Sequence, residues 1–236
     1  MKTRLYVAAV LGGLALLIAV ALVVFAFGRH NPSPPSLQDN PRPEIPGQIL
    51  YVDQDFCFVR AAASGEGETR LACIPESYSG AAVYWLDDLS AGIVRYDQRG
   101  GVLWRVDLVT GVITDTGKLI DTTGGKVFPG GLYGGAYAPD GAFASTDEEG
   151  RLSVIVDGQR TEIADFDSPE YNPPRVLLWS PDSRWLALQY FPRRAEGPEI
   201  WVVSRDGAVR GTLTKNAGGG SVAWRIAAEV QPPNPQ

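Results

Sequence analysis

From Leu5 to Phe27 the chain runs 23 residues without a charged side chain, whereas beyond residue 47 apolar residues come in short runs broken by Gly, Pro, Asp and Asn. The first pattern predicts one membrane-spanning helix, because a helix of that length covers about 30 Å of hydrocarbon. It exceeds the apolar stretch of about 7–15 residues usual in a cleaved signal peptide, and Gly28-Arg29-His30 offers no small-residue cleavage site. Residues 1–28 therefore read as a cytoplasmic N-terminus and signal-anchor helix. Lys2 and Arg4 before the span, against Arg29 after it, place the remainder outside the cytoplasm. Residues 29–47 are proline-rich without an apolar period and read as a polyproline-type stalk of up to roughly 60 Å. The second pattern predicts many short strands over residues 48–229, and the proline-rich residues 230–236 read as a disordered tail.

Within 48–229 the chain repeats itself. Three segments, 85-WLDDLSAGIVRYD, 137-YAPDGAFASTDEE and 179-WSPDSRWLALQYF, align on an aromatic residue followed three positions later by Asp: Trp85 and Asp88, Tyr137 and Asp140, Trp179 and Asp182. A fourth, partial copy supplies Trp224 without the Asp. The spacing is that of a four-stranded propeller blade. Each copy predicts an apolar strand ending in the aromatic, a tight turn formed by Pro and Asp, a second strand, then a hairpin such as those about Asp157-Gly158 and Asp206-Gly207. Residues 48–74 supply three strands without the first, and 221–226 a first strand without the other three. The expected fold is an all-β, small β-propeller of about four four-stranded blades closed by pairing of the N- and C-terminal strands, preceded by one transmembrane helix.

The Trp179-Ser180-Pro181-Asp182 pattern, with partial copies at Tyr137-Ala138-Pro139-Asp140 and Trp85-Leu86-Asp87-Asp88, resembles the Pro-Asp repeats of TolB-type β-propellers, which are related in architecture to WD-repeat proteins. Those propellers have six blades, against four counted here. The resemblance implies a protein-binding scaffold outside the cytoplasm and does not carry over the Tol-system partners.

Composition narrows the chemistry. The one histidine, His30, adjoins the predicted anchor, so Ser-His-Asp, Cys-His and histidine–metal arrangements have no members in the propeller. Neither a G-x-S-x-G elbow nor a G-x-x-x-x-G-K-[ST] phosphate loop occurs. All 27 acidic but only 18 of the 21 basic side chains lie beyond residue 30, which argues against nucleic acid as a partner. No catalytic residue, metal site or cofactor is expected. Asp53 with Asp55, and Asp147-Glu148-Glu149, lack calcium-loop spacing. Folding 57–73 as a hairpin about Gly65 sets Cys57 opposite Cys73, where a cross-strand disulfide fits an oxidising compartment.

The six tryptophans recur at shared repeat positions and read as packing between blades rather than as a carbohydrate platform. The longer loops, 121–131, 166–174, 191–198 and 215–220, fall on one face of such a ring. Phe128, Tyr171, Tyr190, Phe191, Arg193 and Arg194 in or beside them are of the types enriched at protein interfaces. The function expected is a non-catalytic, membrane-anchored scaffold that binds an envelope protein. Glycan binding or processing, and a partial ring that oligomerises, are the alternatives.

Overall fold

The computed structural model of the protein describes residues 35–73, 82–97, 100–120, 135–166, 171–192, 197–218 and 222–226. The predicted anchor and tail lie outside these; no helix among the described residues is long and apolar enough to cross a membrane.

The described residues form four four-stranded antiparallel sheets, the arrangement of a four-bladed propeller. Blade I orders β16 (Ala223–Arg225), β1 (Gln48–Val52), β2 (Cys57–Ala62) and β3 (Glu68–Cys73). Blade II orders β4 (Ala82–Trp85), β5 (Ser90–Asp97), β6 (Gly100–Asp107) and β7 (Ile113–Ile120). Blade III is β8 (Ala136–Tyr137), β9 (Phe143–Thr146), β10 (Arg151–Val156) and β11 (Gln159–Asp165); blade IV is β12 (Tyr171–Trp179), β13 (Trp185–Pro192), β14 (Glu199–Ser204) and β15 (Arg210–Thr214). The predicted sharing of one sheet by distant chain segments is present: Gln48 pairs with Arg225, Ile49 with Trp224 and Leu50 with Ala223.

Alternation along the strands explains how the sheets stack. Successive side chains point to opposite faces, and in blade IV both faces are apolar: Trp185 and Ala187 join the core shared with blade I, while Leu186 and Leu188 join the core shared with blade III. Blade I divides likewise, Ile49 and Tyr51 facing blade IV, Leu50 and Phe58 facing blade II. A strand buried on both sides reads as a continuous apolar run, as in β14 (EIWVVS). The outermost β11, largely exposed, is polar.

Two tryptophans stitch these junctions by hydrogen bonds: Trp179 Nε1 donates to Ala136 O of blade III (2.9 Å) and Trp85 Nε1 to Ala223 O of blade I (3.3 Å). Trp224 packs in the core shared by blades I and IV, while its Nε1 donates to Pro46 O, just ahead of β1 in its own blade (2.9 Å). Tyr137, at the same repeat position, bridges to no other blade: it is 75% exposed and leans on Phe143 of its own blade at 4.7 Å between ring centroids.

The predicted stalk is corrected from residue 35 onward. Residues 35–47 form a strap on the propeller: Leu37 N donates to Thr212 O (2.8 Å), Thr212 N to Pro35 O (3.2 Å) and Arg42 N to Ser64 O (2.9 Å). Leu37 and Ile45 are buried in the core shared by blades I and IV. Burial of these two side chains outweighs the extended preference of the surrounding prolines. Gly65, at φ +93°, and Gly211 make room for Leu37, where a Cβ on either would collide with it.

Cys57 and Cys73 are joined by a disulfide. The hairpin reaches that pairing by a route the count from Gly65 missed. Ala61 pairs with Glu68, Arg60 with Thr69 and Val59 with Arg70, one residue out of the expected register, and a bulge between Cys57 and Val59 restores it. Cys57→Ser is expected to cost about 3 kcal/mol, the chain entropy released by opening a loop of this size. Urea unfolding of wild type and variant in the absence of reductant measures it, and coincident curves would remove the stabilising role.

Candidate functional site

The loop face favoured by sequence is only partly described. Phe128, Arg193 and Arg194 lie outside the described residues. Tyr171 begins β12, its backbone paired with Pro192, and Phe191 is half-buried and paired with Asn172. Tyr190 is corrected. It is 3% exposed, donates its hydroxyl to Phe166 O (2.9 Å) and packs against Trp201 with centroids 4.5 Å apart, so it belongs to the core and not to a contact surface.

Where blades I and IV meet, the described part of this face is tied together. Asp53, almost fully buried, accepts from the backbone N–H groups of Asp55 and Cys57 (both 2.9 Å) and from Arg70 Nε (2.9 Å). Arg70 also pairs with Asp55. Gly218 N donates to Val52 O (2.8 Å) and Ala217 N to Pro198 O (3.1 Å), while Gln54 occupies the space that a Cβ on Gly197 would need. Across the face, Asp147 is held by Arg151 (2.9 Å) and Arg160 (3.3 Å), and Glu149 by Arg151 (3.1 Å). Arginine thus takes the place a cation would have in both acidic clusters.

On the opposite face the turns are short and built on Asp. Asp182 accepts from Arg184 N (3.2 Å) and Ser180 Oγ (2.5 Å), and Asp140 from Ala142 N (3.1 Å). In blade II the same work falls to Asp87, which accepts from Leu89 N (2.8 Å) and Ser90 Oγ (2.6 Å). The aromatic-plus-three spacing points to Asp88. That residue instead reaches Arg225 (2.7 Å), whose guanidinium lies 3.7 Å from the centroid of the Trp85 ring. Arg205 plays the matching part at the junction of blades III and IV, pairing with Asp140 and lying 5.6 Å from the centroid of Trp179. A cavity of ≈ 630 Å³ opens beside these turns, with Glu44 of the strap and Asp182, Arg184 and Asp206 in its lining.

These turn carboxyls are held below the usual carboxylate range, each by its own donors: Asp87 by Ser90 and Leu89 N, Asp107 by Thr110 N, Asp140 by Arg205, Asp206 by Ser204 and Ala208 N. A carboxyl whose folded pKa is depressed stabilises the fold above its unfolded value near 3.9 and loses that contribution as pH falls through the folded value. The midpoint of thermal unfolding is therefore expected to fall steadily as pH drops from about 5 to about 2. Scanning calorimetry across that range tests this, and a flat profile would show the turns do not couple to folding.

All six tryptophans are buried or half-buried, with Trp85 and Trp104 the more accessible and Trp185, Trp201, Trp179 and Trp224 within the cores. The packing role expected from their repeat positions is what the structure shows, and they form no exposed aromatic platform.

The class defined by these sheets is a β-propeller with aspartate-based repeat turns. No family profile and no curated protein matches the chain. Among solved structures it is similar to a TolB of Agrobacterium tumefaciens (15% identity, 78% of this chain and 61% of that one, TM-score 0.27). It is also similar to TolB of Acinetobacter baumannii (14%, 74% and 43%, TM-score 0.25). An oligogalacturonate lyase in complex with manganese is a third (16%, 71% and 50%, TM-score 0.30). The chain spans about two to three fifths of the length of these proteins.

Proposed function

We propose that the protein is a non-catalytic binding scaffold of the cell envelope, anchored in the membrane by residues 5–27 and holding its propeller outside the cytoplasm. The observation that carries this reading is the Cys57–Cys73 disulfide, which suits an oxidising compartment and braces the blade that joins the two ends of the propeller. Blade junctions held by the hydrogen bonds of Trp179 and Trp85 and by the packing of Trp224 make a rigid frame, and loops on a rigid frame are where binding residues concentrate.

The four sheets form a closed ring in this reading. The first strands of successive blades lie side by side in the order β4, β16, β12, β8, and closure requires blade II to meet blade III. A monomeric mass for the full chain in light scattering supports a self-contained ring; a stable dimer would favour a partial ring completed by a second copy.

Crosslinking in native membranes, followed by mass spectrometry of the purified full chain, tests the scaffold role. A recurrent protein crosslinked through 53–56, 191–192 or 197–198 is the expected result. Reproducible absence of protein crosslinks, with retention of a glycan, would overturn it.

A further inference from the structure

The four repeats give an internal standard for what a turn of this propeller needs. Blade III turns on Ala138-Pro139-Asp140-Gly141 and Asp157-Gly158, small or polar residues flanked by the exposed strand ends Tyr137 and Val156; blade IV turns on Ser180-Pro181-Asp182-Ser183 and Arg205-Asp206-Gly207-Ala208-Val209, where Val209 packs against the core. Blade II departs from that standard. Its corresponding turns expose Leu86, Leu89, Val109 and Val112, with Leu89 62% and Val109 73% accessible.

The departure is built into the backbone. Leu108 N donates to Leu89 O (2.8 Å), binding the two turns to each other. Leu86 is seated by a glycine, since a Cβ on Gly92 would lie 2.9 Å from Leu103 Cδ1 and 3.2 Å from Leu86 Cδ2. Around the patch stand Asp87, Asp88 and Asp107, three carboxylates to the two guanidinium groups of Arg105 and Arg225. Those two are already engaged, Arg105 by Asp87 (3.2 Å) and Arg225 by Asp88 (2.7 Å). Asp88 is 91% exposed. The surface is thus aliphatic at its centre and carries one carboxylate in excess at its rim, Asp107, whose Oδ1 caps Val109 N (2.9 Å) and Thr110 N (2.7 Å) and whose Oδ2 is left to a partner.

We propose that the blade II turns form a docking surface for a basic amphipathic segment of a partner protein, one that presents aliphatic side chains flanked by Lys or Arg. Aliphatic anchors would cover the leucine and valine side chains, and the flanking cations would take the free lone pairs of Asp88 and Asp107. This surface lies on the turn face, away from the loops considered above, and stands whether or not those loops bind anything.

The test measures fluorescence anisotropy of three short labelled peptides against the full-length protein: one of leucine and lysine, one with serine in place of leucine, one with glutamate in place of lysine. The leucine–lysine peptide is expected to bind best and to lose about tenfold in affinity to the Leu89→Ser, Val109→Ser double variant. Asp88→Asn, at a position open to solvent, reads the charge separately and is expected to weaken the same peptide severalfold, with a smaller salt dependence. Equal binding by the double variant, or equal binding of the glutamate peptide, would overturn the proposal. So would a wild-type dimer that the double variant abolishes, since the patch would then be covered by a second copy of the chain.

Discussion

Trp179→Ala is expected to lower the stability of the propeller by about 3–5 kcal/mol, the usual cost of deleting a buried tryptophan side chain. The indole is 5% exposed and shares a core with Ala136, Ala144, Leu186 and Leu188. It is also the donor to Ala136 O, so the substitution removes a hydrogen bond between blades as well as leaving a cavity. Trp179→Phe keeps much of the volume and loses the hydrogen bond, an expected loss of about 1–2 kcal/mol. Urea denaturation of the three proteins separates the contributions. A loss below about 1 kcal/mol for the alanine variant would mean that the junction between blades III and IV is not packed as described.

Leu37→Ala is the second large effect, about 2–5 kcal/mol. A leucine on a solvated proline-rich spacer would cost at most about 0.5 kcal/mol on truncation, so this one substitution discriminates between a strap and a stalk. Leu37 is 1% exposed, its N–H is bonded to Thr212, and Gly65 and Gly211 leave a recess shaped to it. Amide exchange gives an independent reading: protection of Leu37, Asn40 and Arg42, whose N–H groups bond Thr212, Ser36 and Ser64, is expected to fall before that of β13 or β14. Retained protection at these three amides in the variant would show that Leu37 is not what holds the strap.

How much of this was readable in advance depends on the range of the interaction. The blades were legible because each repeat restates the same local chemistry, an aromatic at a strand end and an Asp that caps a turn. The shared sheet of β1 and β16 followed from counting strands. The burial of Tyr190 is legible in the strand alternation, since it falls on the same side of β13 as Leu186 and Leu188, and all three enter one core. Asp88 was misassigned because the blade II turn places its capping residue one position earlier, a shift that counting from Trp85 does not register. The strap was hidden. Leu37 and Ile45 show no period, and the recess that receives Leu37 depends on Gly65 and Gly211, which sit far along the chain in other elements. The binding face is the least legible part, since exposure at Leu89 and Val109 means something only beside the polar turns of the other blades.

The pairing of Gln48 with Arg225 also dictates an order of assembly. As the chain is synthesised, β1 is made early and its partner β16 only after roughly 10–40 s more, at about 5–20 residues per second. Throughout that interval blade I has an unfilled edge of main-chain donors and acceptors, the kind of edge that recruits strands from other molecules. Blades II to IV contain all their own strands and are free to form as they emerge, whereas blade I waits. A polypeptide interrupted before residue 223 would keep most of its sheets and still lack the three residues that finish the first of them.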